Sequence, residues 1–86
     1  MELEQLRAQL SAIDRQILEL VAERQRLSGQ IGEWKRASGR PTRDFAREKQ
    51  VLDKARSSAA GLGVPTGLAE ALFSLLIQSS LTNQEQ

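Results

Sequence analysis

Residues 3–36, LEQLRAQLSAIDRQILELVAERQRLSGQIGEWKR, carry the apolar ladder that decides the fold. From Leu3 it climbs through Leu6, Leu10, Ile13, Ile17 and Leu20, then Leu27, Ile31 and Trp34. The steps are of three and four residues, the spacing of one helical face. The position due between Leu20 and Leu27 is occupied by Arg24, so a cation sits in the seam. With no Pro and only Gly29 and Gly32 to interrupt it, the stretch predicts one helix of about 50 Å at roughly 1.5 Å per residue. A compact chain of this length would have a radius of gyration of about 12 Å, hence a diameter of about 30 Å. The helix is longer than its own globule, and a second copy of the chain is expected to cover part of it.

Outward from this helix, Glu2 and Glu4 near its start and Lys35 and Arg36 in its last turn each complement the helix dipole. Gly39 and Pro41 stop it, and residues 38–43 read as a loop. Asp44 is placed to cap a second helix running to about Ala60, with a stripe of Phe45, Glu48, Leu52, Ala55 and Ala59. Gly61, Gly63 and Pro65 form the next break, and Thr66 caps a third helix ending near Asn83. That helix is expected to bury Ala69, Leu72, Phe73 and Leu76, with Ser80 and then Gln84 continuing the same face. No alternating strand pattern occurs. The reading is all-α, three helices in a single domain spanning residues 1–86, with one long N-terminal helix and an antiparallel helical dimer as the expected assembly.

Composition excludes several chemistries. The chain has neither Cys nor His, which removes disulfides, the usual zinc sites and any triad or general base that needs imidazole. Net charge is +1, with acids and bases interspersed, and there are one Trp, two Phe and no Tyr. That is a solvated helical surface, not a platform for nucleic acid. No signal-like start is present, and the longest apolar run, near Leu72 to Ile77, is too short to span a bilayer. A cytoplasmic soluble protein without a cofactor is expected.

Each helix nevertheless sets polar groups on a face that should be buried: Arg24 and Lys35 on the first, Glu48 on the second, Ser80 and Gln84 on the third. Singly, each has an ordinary explanation. Arg24 could set register or snorkel, Lys35 could compensate the helix dipole, Glu48 could satisfy Arg47 or Arg24, and Ser80 and Gln84 could face water at a frayed end. Together they are expensive, because an uncompensated buried charge costs several kcal/mol. A polar cavity for an anionic guest explains all of them at once. Arg24 and Lys35 are eleven residues apart, about three turns, which leaves them within roughly 20° around the axis and about 16 Å apart along it. Arg7 lies some 25 Å from Arg24 and about 100° round the helix, out of reach of the same guest. If two copies of the helix cross antiparallel near Ile17 or Leu18, Arg7 of one chain falls opposite Ser28 of the other, between Arg24 and Lys35.

The set Leu6-Arg7, Ile13-Asp14, Ala22-Glu23-Arg24, Gly32, Lys35, Arg40-Pro41, Arg43-Asp44, Arg47-Glu48, Ser79-Ser80 and Gln84 resembles the all-helical chorismate mutases. The resemblance covers nearly the whole sequence and matches spacing across three helices. It implies an intertwined homodimer with two equivalent sites, each built mainly from one chain plus an arginine of the other. On this resemblance Arg7 would be the visiting arginine and Arg24 the resident one. Lys35 and Gln84 would reach the ether oxygen of chorismate. Glu48, with the backbone near Asp44, would hold the ring hydroxyl, and Arg47 and Ser80 would complete the wall.

Conversion of chorismate to prephenate is a [3,3] rearrangement within one molecule, so it requires no proton transfer and no covalent intermediate. What helps is holding the near-attack conformer and stabilising negative charge that develops on the ether oxygen. Arginines supply bidentate donors for two carboxylates, and a lysine and an amide supply donors for the oxygen. Two alternatives remain at this level: an isochorismate-pyruvate lyase of the same fold, and a non-catalytic dimeric regulatory or interaction module. A plain adaptor has no reason to break its seams with Arg24 and Glu48. Any step downstream of prephenate is expected on another polypeptide.

Overall fold

The structure is a computed structural model that describes residues 2–85. Three helices follow in order: α1 (Leu3–Ala37), α2 (Phe45–Leu62) and α3 (Thr66–Glu85). The described residues contain no strand. All three helices are where the periodicity placed them, with small shifts at the ends.

The ends have local causes. At the start of α1, Glu2 and Gln5 form a reciprocal capping box. At its end, Gly39 takes φ +67°, which lets Arg40 N–H reach the Lys35 carbonyl at 2.9 Å and Gly39 N–H the Arg36 carbonyl at 3.3 Å. These are the two bonds of a Schellman stop. Asp44 caps α2 as expected, its carboxylate accepting from Arg47 N–H at 3.0 Å. α2 runs to Leu62, so Gly61 is helical, and Gly63 at φ +72° makes the turn. Thr66 is the first residue of α3 and not its cap, because the first helical bond, from Ala69 N–H, goes to the Pro65 carbonyl at 3.1 Å.

Helix α3 is the centre of the fold. It packs against both α1 and α2, which make no packing contact with each other. Ala55 and Ala59 of α2 and Ala69 and Ile77 of α3 are the buried apolar residues, and Arg56 ties these two helices by donating to Glu70 at 2.7 Å. Two expectations change here. Leu72 and Phe45 are exposed in the chain, and Ile77, absent from the expected face, is buried.

Helix α1 turns an unexpected side to α3. The ladder stays exposed from Leu3 to Trp34, most of its residues about half accessible or more. Contact is made instead by a polar, small-residue face through Arg24, Gln25, Ser28, Gly32 and Arg36. Ser28 and Gly32 are the buried residues of α1, and the backbones approach so closely at Gly32 that nothing larger fits. Asn83 Nδ2 donates to the Gln25 carbonyl at 2.6 Å, and Gln25 Nε2 donates to Ser79 Oγ. Among the described residues, the hydrogen bonds between α1 and α3 all come from Arg24 onward, in the C-terminal half of α1. The result is an elongated body of 55 × 24 × 15 Å with a radius of gyration of 15.9 Å.

Candidate functional site

Where α1 and α3 converge on the start of α2, they enclose a cavity of about 400 Å³, within the range of roughly 300–1,000 Å³ usual for small-molecule sites. Seven of the eight residues expected at the site line it: Arg24, Lys35, Asp44, Arg47, Glu48, Ser80 and Gln84. Arg7 is the exception. It is exposed near the far end of α1 and pairs with Glu4 at 2.9 Å.

Each polar group is held by its neighbours. Arg24 donates through one nitrogen, Nη1, to Ser80 Oγ at 2.6 Å and the Leu76 carbonyl at 3.2 Å, leaving the other edge of its fork for a guest. Partial burial, then the nearby charge of Arg47, draws its pKa below the ordinary arginine value. It remains a cation at any physiological pH. Lys35 Nζ donates to the Thr42 carbonyl at 2.7 Å and to Gln84 Oε1 at 2.9 Å, which uses two of its three hydrogens.

That last bond settles the orientation of the Gln84 amide. An ammonium can only donate, so the amide oxygen must face Lys35 and the nitrogen must face away. Gln84 Nε2 then donates to Ser28 Oγ at 3.2 Å, and Ser28 Oγ donates in turn to the Ser80 carbonyl at 3.2 Å. That bond uses one of the two amide hydrogens. Gln84 is buried, not frayed.

Charge around the cavity is unbalanced. Among the described residues, none of the ion pairs involves Arg24, Lys35 or Arg47. The acids on the wall are already engaged. Glu48 receives two bonds from Arg43, at 3.0 and 3.1 Å, and Asp44 caps α2. Glu48 thus pairs with Arg43, and neither Arg47 nor Arg24 is its partner. A carboxylate has about four acceptor positions, so Glu48 can still accept from a hydroxyl. Leu27, Ile31, Val51, Ile77 and Leu81 supply the apolar remainder of the wall.

A family match decides the relationship. The family described as "Chorismate mutase type II" matches residues 6–85.

The chain belongs to the chorismate mutase type II family.

Among similar proteins, the "Chorismate mutase" of Methanocaldococcus jannaschii is 32% identical over 99% of this chain and 86% of its own length. The "Bifunctional chorismate mutase/prephenate dehydratase" of Escherichia coli is 34% identical over 93% of this chain. This chain spans only about a fifth of that bifunctional protein, 21%. A solved structure of a conserved hypothetical protein from Pyrococcus furiosus superposes with a TM-score of 0.78 at 28% identity, covering 95% of this chain and 93% of the other. No described group of His, Cys, Asp or Glu could hold a metal ion, and no described helix is long and apolar enough to cross a membrane.

Sequence reasoning gave no site role of their own to four residues: Ser28 and Thr42, which line the cavity, and Arg36 and Arg43, which hold Gln84 and Glu48 beside it. For Ser28 a signal existed, since Arg24, Ser28 and Gly32 recur every four residues along one line of α1. Small or hydroxyl side chains in that line mark a close helix crossing. Thr42 acts through its carbonyl, which no side-chain pattern announces.

Proposed function

We propose that this chain is a chorismate mutase that rearranges chorismate to prephenate. The observation that carries the reading is the convergence of Arg24, Lys35 and Arg47, none with a carboxylate partner, on one cavity of about 400 Å³. A dianion that supplies both missing carboxylates is the natural guest. In this reading Arg24 takes one carboxylate and the partner's Arg7 the other, with Arg47 beside Arg24 on the wall, and so they fold the enolpyruvyl arm over the ring. Lys35 and the other hydrogen of the Gln84 amide face the ether oxygen, where charge builds as the C–O bond breaks. Glu48 and the backbone near Asp44 hold the ring hydroxyl, and Ser80 fixes Arg24. No step needs a proton acceptor. Pre-positioned donors are favourable here because they are already oriented when charge appears.

The working unit in this proposal is an antiparallel homodimer in which Arg7 enters the partner's cavity. Leu3, Leu6, Leu10, Ile13, Ile17 and Leu20 are all exposed, at 48–70%. The chain's surface is 6716 Å², against about 5,000 Å² for a compact monomer of its mass. The excess is of the order a stable homodimer interface buries. A second, apolar cavity of about 520 Å³ between α2 and α3 shares Arg24 and Arg47 with the polar one. A partner's α1 laid into that groove carries its own Arg7 toward the two arginines.

The test is product identification. Purified protein incubated with chorismate should yield prephenate, and with isochorismate should yield no pyruvate and salicylate. Pyruvate release from isochorismate without prephenate from chorismate would replace the mutase by a lyase. Inertness toward both would favour a non-catalytic module.

A further inference from the structure

We propose that Arg36 is a positioning residue for Gln84, holding the last turn of α3 so that the amide keeps its place in the cavity. The inference rests on the mutase reading for the amide's role, but its structural part stands on contacts alone. Arg36 Nη1 donates to the backbone carbonyl of Gln84 at 2.6 Å, and the adjacent Lys35 donates to the side-chain oxygen of the same residue at 2.9 Å. Two consecutive residues of α1 therefore grip Gln84 at its backbone and at its tip.

The need for such a grip follows from where Gln84 lies. It is the penultimate residue of α3, in the turn whose carbonyls have no intrahelical donors. End turns fray unless something satisfies those carbonyls. The last turn of α3 contains no basic residue of its own, so the favourable cation at a helix C-terminus must come from elsewhere. Arg36 supplies both a hydrogen and a charge. From its place in the last turn of α1 it would be read as serving its own helix dipole, yet its guanidinium is on the end of α3.

Gly32 complements the grip from below, as the close backbone approach leaves Gln84 no room to move toward α1. Asn83 Nδ2, donating to the Gln25 carbonyl at 2.6 Å, ties the same turn to α1 through a side chain, whereas Arg36 is the donor that reaches the Gln84 backbone carbonyl. Loss of Arg36 should leave the cavity walls intact and loosen one donor, which acts mainly in the transition state.

The experiment compares wild type with Arg36→Ala and Arg36→Lys by steady-state kinetics on chorismate and by amide hydrogen exchange. Arg36 is exposed apart from this contact, so both variants should fold. In Arg36→Ala, exchange in residues 81–85 should rise about tenfold relative to the rest of α3, and kcat should fall by about three- to thirtyfold with KM within about twofold. Arg36→Lys, which keeps a cationic donor, should recover most of both. Faster exchange with unchanged kcat would make Arg36 merely structural and overturn the proposal, as would unchanged exchange. A wild-type protein inert toward chorismate would instead overturn the mutase reading, and the exchange comparison would still decide the grip.

Discussion

Gly32 of α1 lies under Gln84 of α3 so closely that a Cβ built on the glycine would stand 2.8 Å from the Gln84 Cα and 3.0 Å from its Cβ. Backbone, not a flexible side chain, is in the way. Gly32→Ala should therefore push the end of α3 outward, costing about 1–3 kcal/mol of overpacking against a helix-propensity gain of about 1 kcal/mol. Activity should fall further than stability, since Gln84 is the residue displaced. Gly29→Ala is the control: its new methyl meets only the Asn83 side chain, at 3.6 Å, and should be neutral or slightly stabilising. Thermal melts and kcat of the two variants give the comparison. Equal behaviour would mean that the helices at Gly32 part enough to admit a methyl group.

Arg7 provides a test of sharing between chains. Arg7→Ala and Lys35→Ala should each be nearly inactive alone, and refolding them together should restore about a quarter of wild-type activity, because half the dimers are mixed and one of their two sites is intact. No recovery after proven subunit exchange would confine Arg7 to its own chain. Sedimentation of the wild type at micromolar concentration should give twice the chain mass. Ile13→Asp, on the exposed ladder, should reduce it to monomer and abolish activity together.

Lys35 and Arg24 should differ in which kinetic constant they govern. Lys35→Ala should lower kcat by about a hundredfold, the scale of one lost donor to a developing oxyanion. Arg24→Ala should also raise KM, since a substrate carboxylate is gripped equally in ground and transition states. Ser28→Ala should give a milder loss of kcat, on the order of severalfold, because it removes the acceptor that fixes one hydrogen of the Gln84 amide. If Arg24→Ala changed kcat alone, its assignment to a carboxylate would be wrong.

Gln84→Glu reads the same site through pH. The parent donates to the ether oxygen through an amide, which does not titrate, so its activity should be nearly flat between about pH 5 and 9. In the variant only the protonated acid can donate to the ether oxygen. Lys35, 2.9 Å from the present amide oxygen, favours the ionised form, whereas a bound dianion favours the protonated one. Whichever sets the midpoint, activity must rise as pH falls toward about 5, a model glutamate titrating near 4.3. A flat profile with undiminished kcat would remove residue 84 from the ether oxygen.

Much of this was legible in the sequence. The three helices, their stops at Gly39 and Gly63, and the Asp44 cap follow from local chemistry, and seven of the eight expected site residues share one cavity. The packing face of α1 was not legible. The ladder of Leu and Ile is the loudest periodic signal in the chain, but it is the face left exposed within the chain. α3 instead sits on the quieter line of Ser28, Gly32 and Arg36, where small size and polarity do the packing. Leu72 was misplaced for a related reason: between Leu68 and Ile77 α3 is so rich in apolar residues that several faces satisfy the same spacing, and only the partner helices choose Ile77. Arg7 could be assigned to no cavity of its own chain from spacing alone, and within the chain it remains at the surface.

The central position of α3 has a consequence for biosynthesis. α1 and α2 precede it on the ribosome and do not pack on each other, so neither has a tertiary partner until some twenty further residues, the length of α3, have been made. Until then the nascent chain presents an amphipathic helix with a bare apolar stripe, the kind of surface on which neighbouring nascent chains and chaperones compete. Every α1–α3 contact closes a loop of about fifty residues, as between Arg24 and Ser80. The cavity, lined from all three helices, therefore cannot close before α3 has been made.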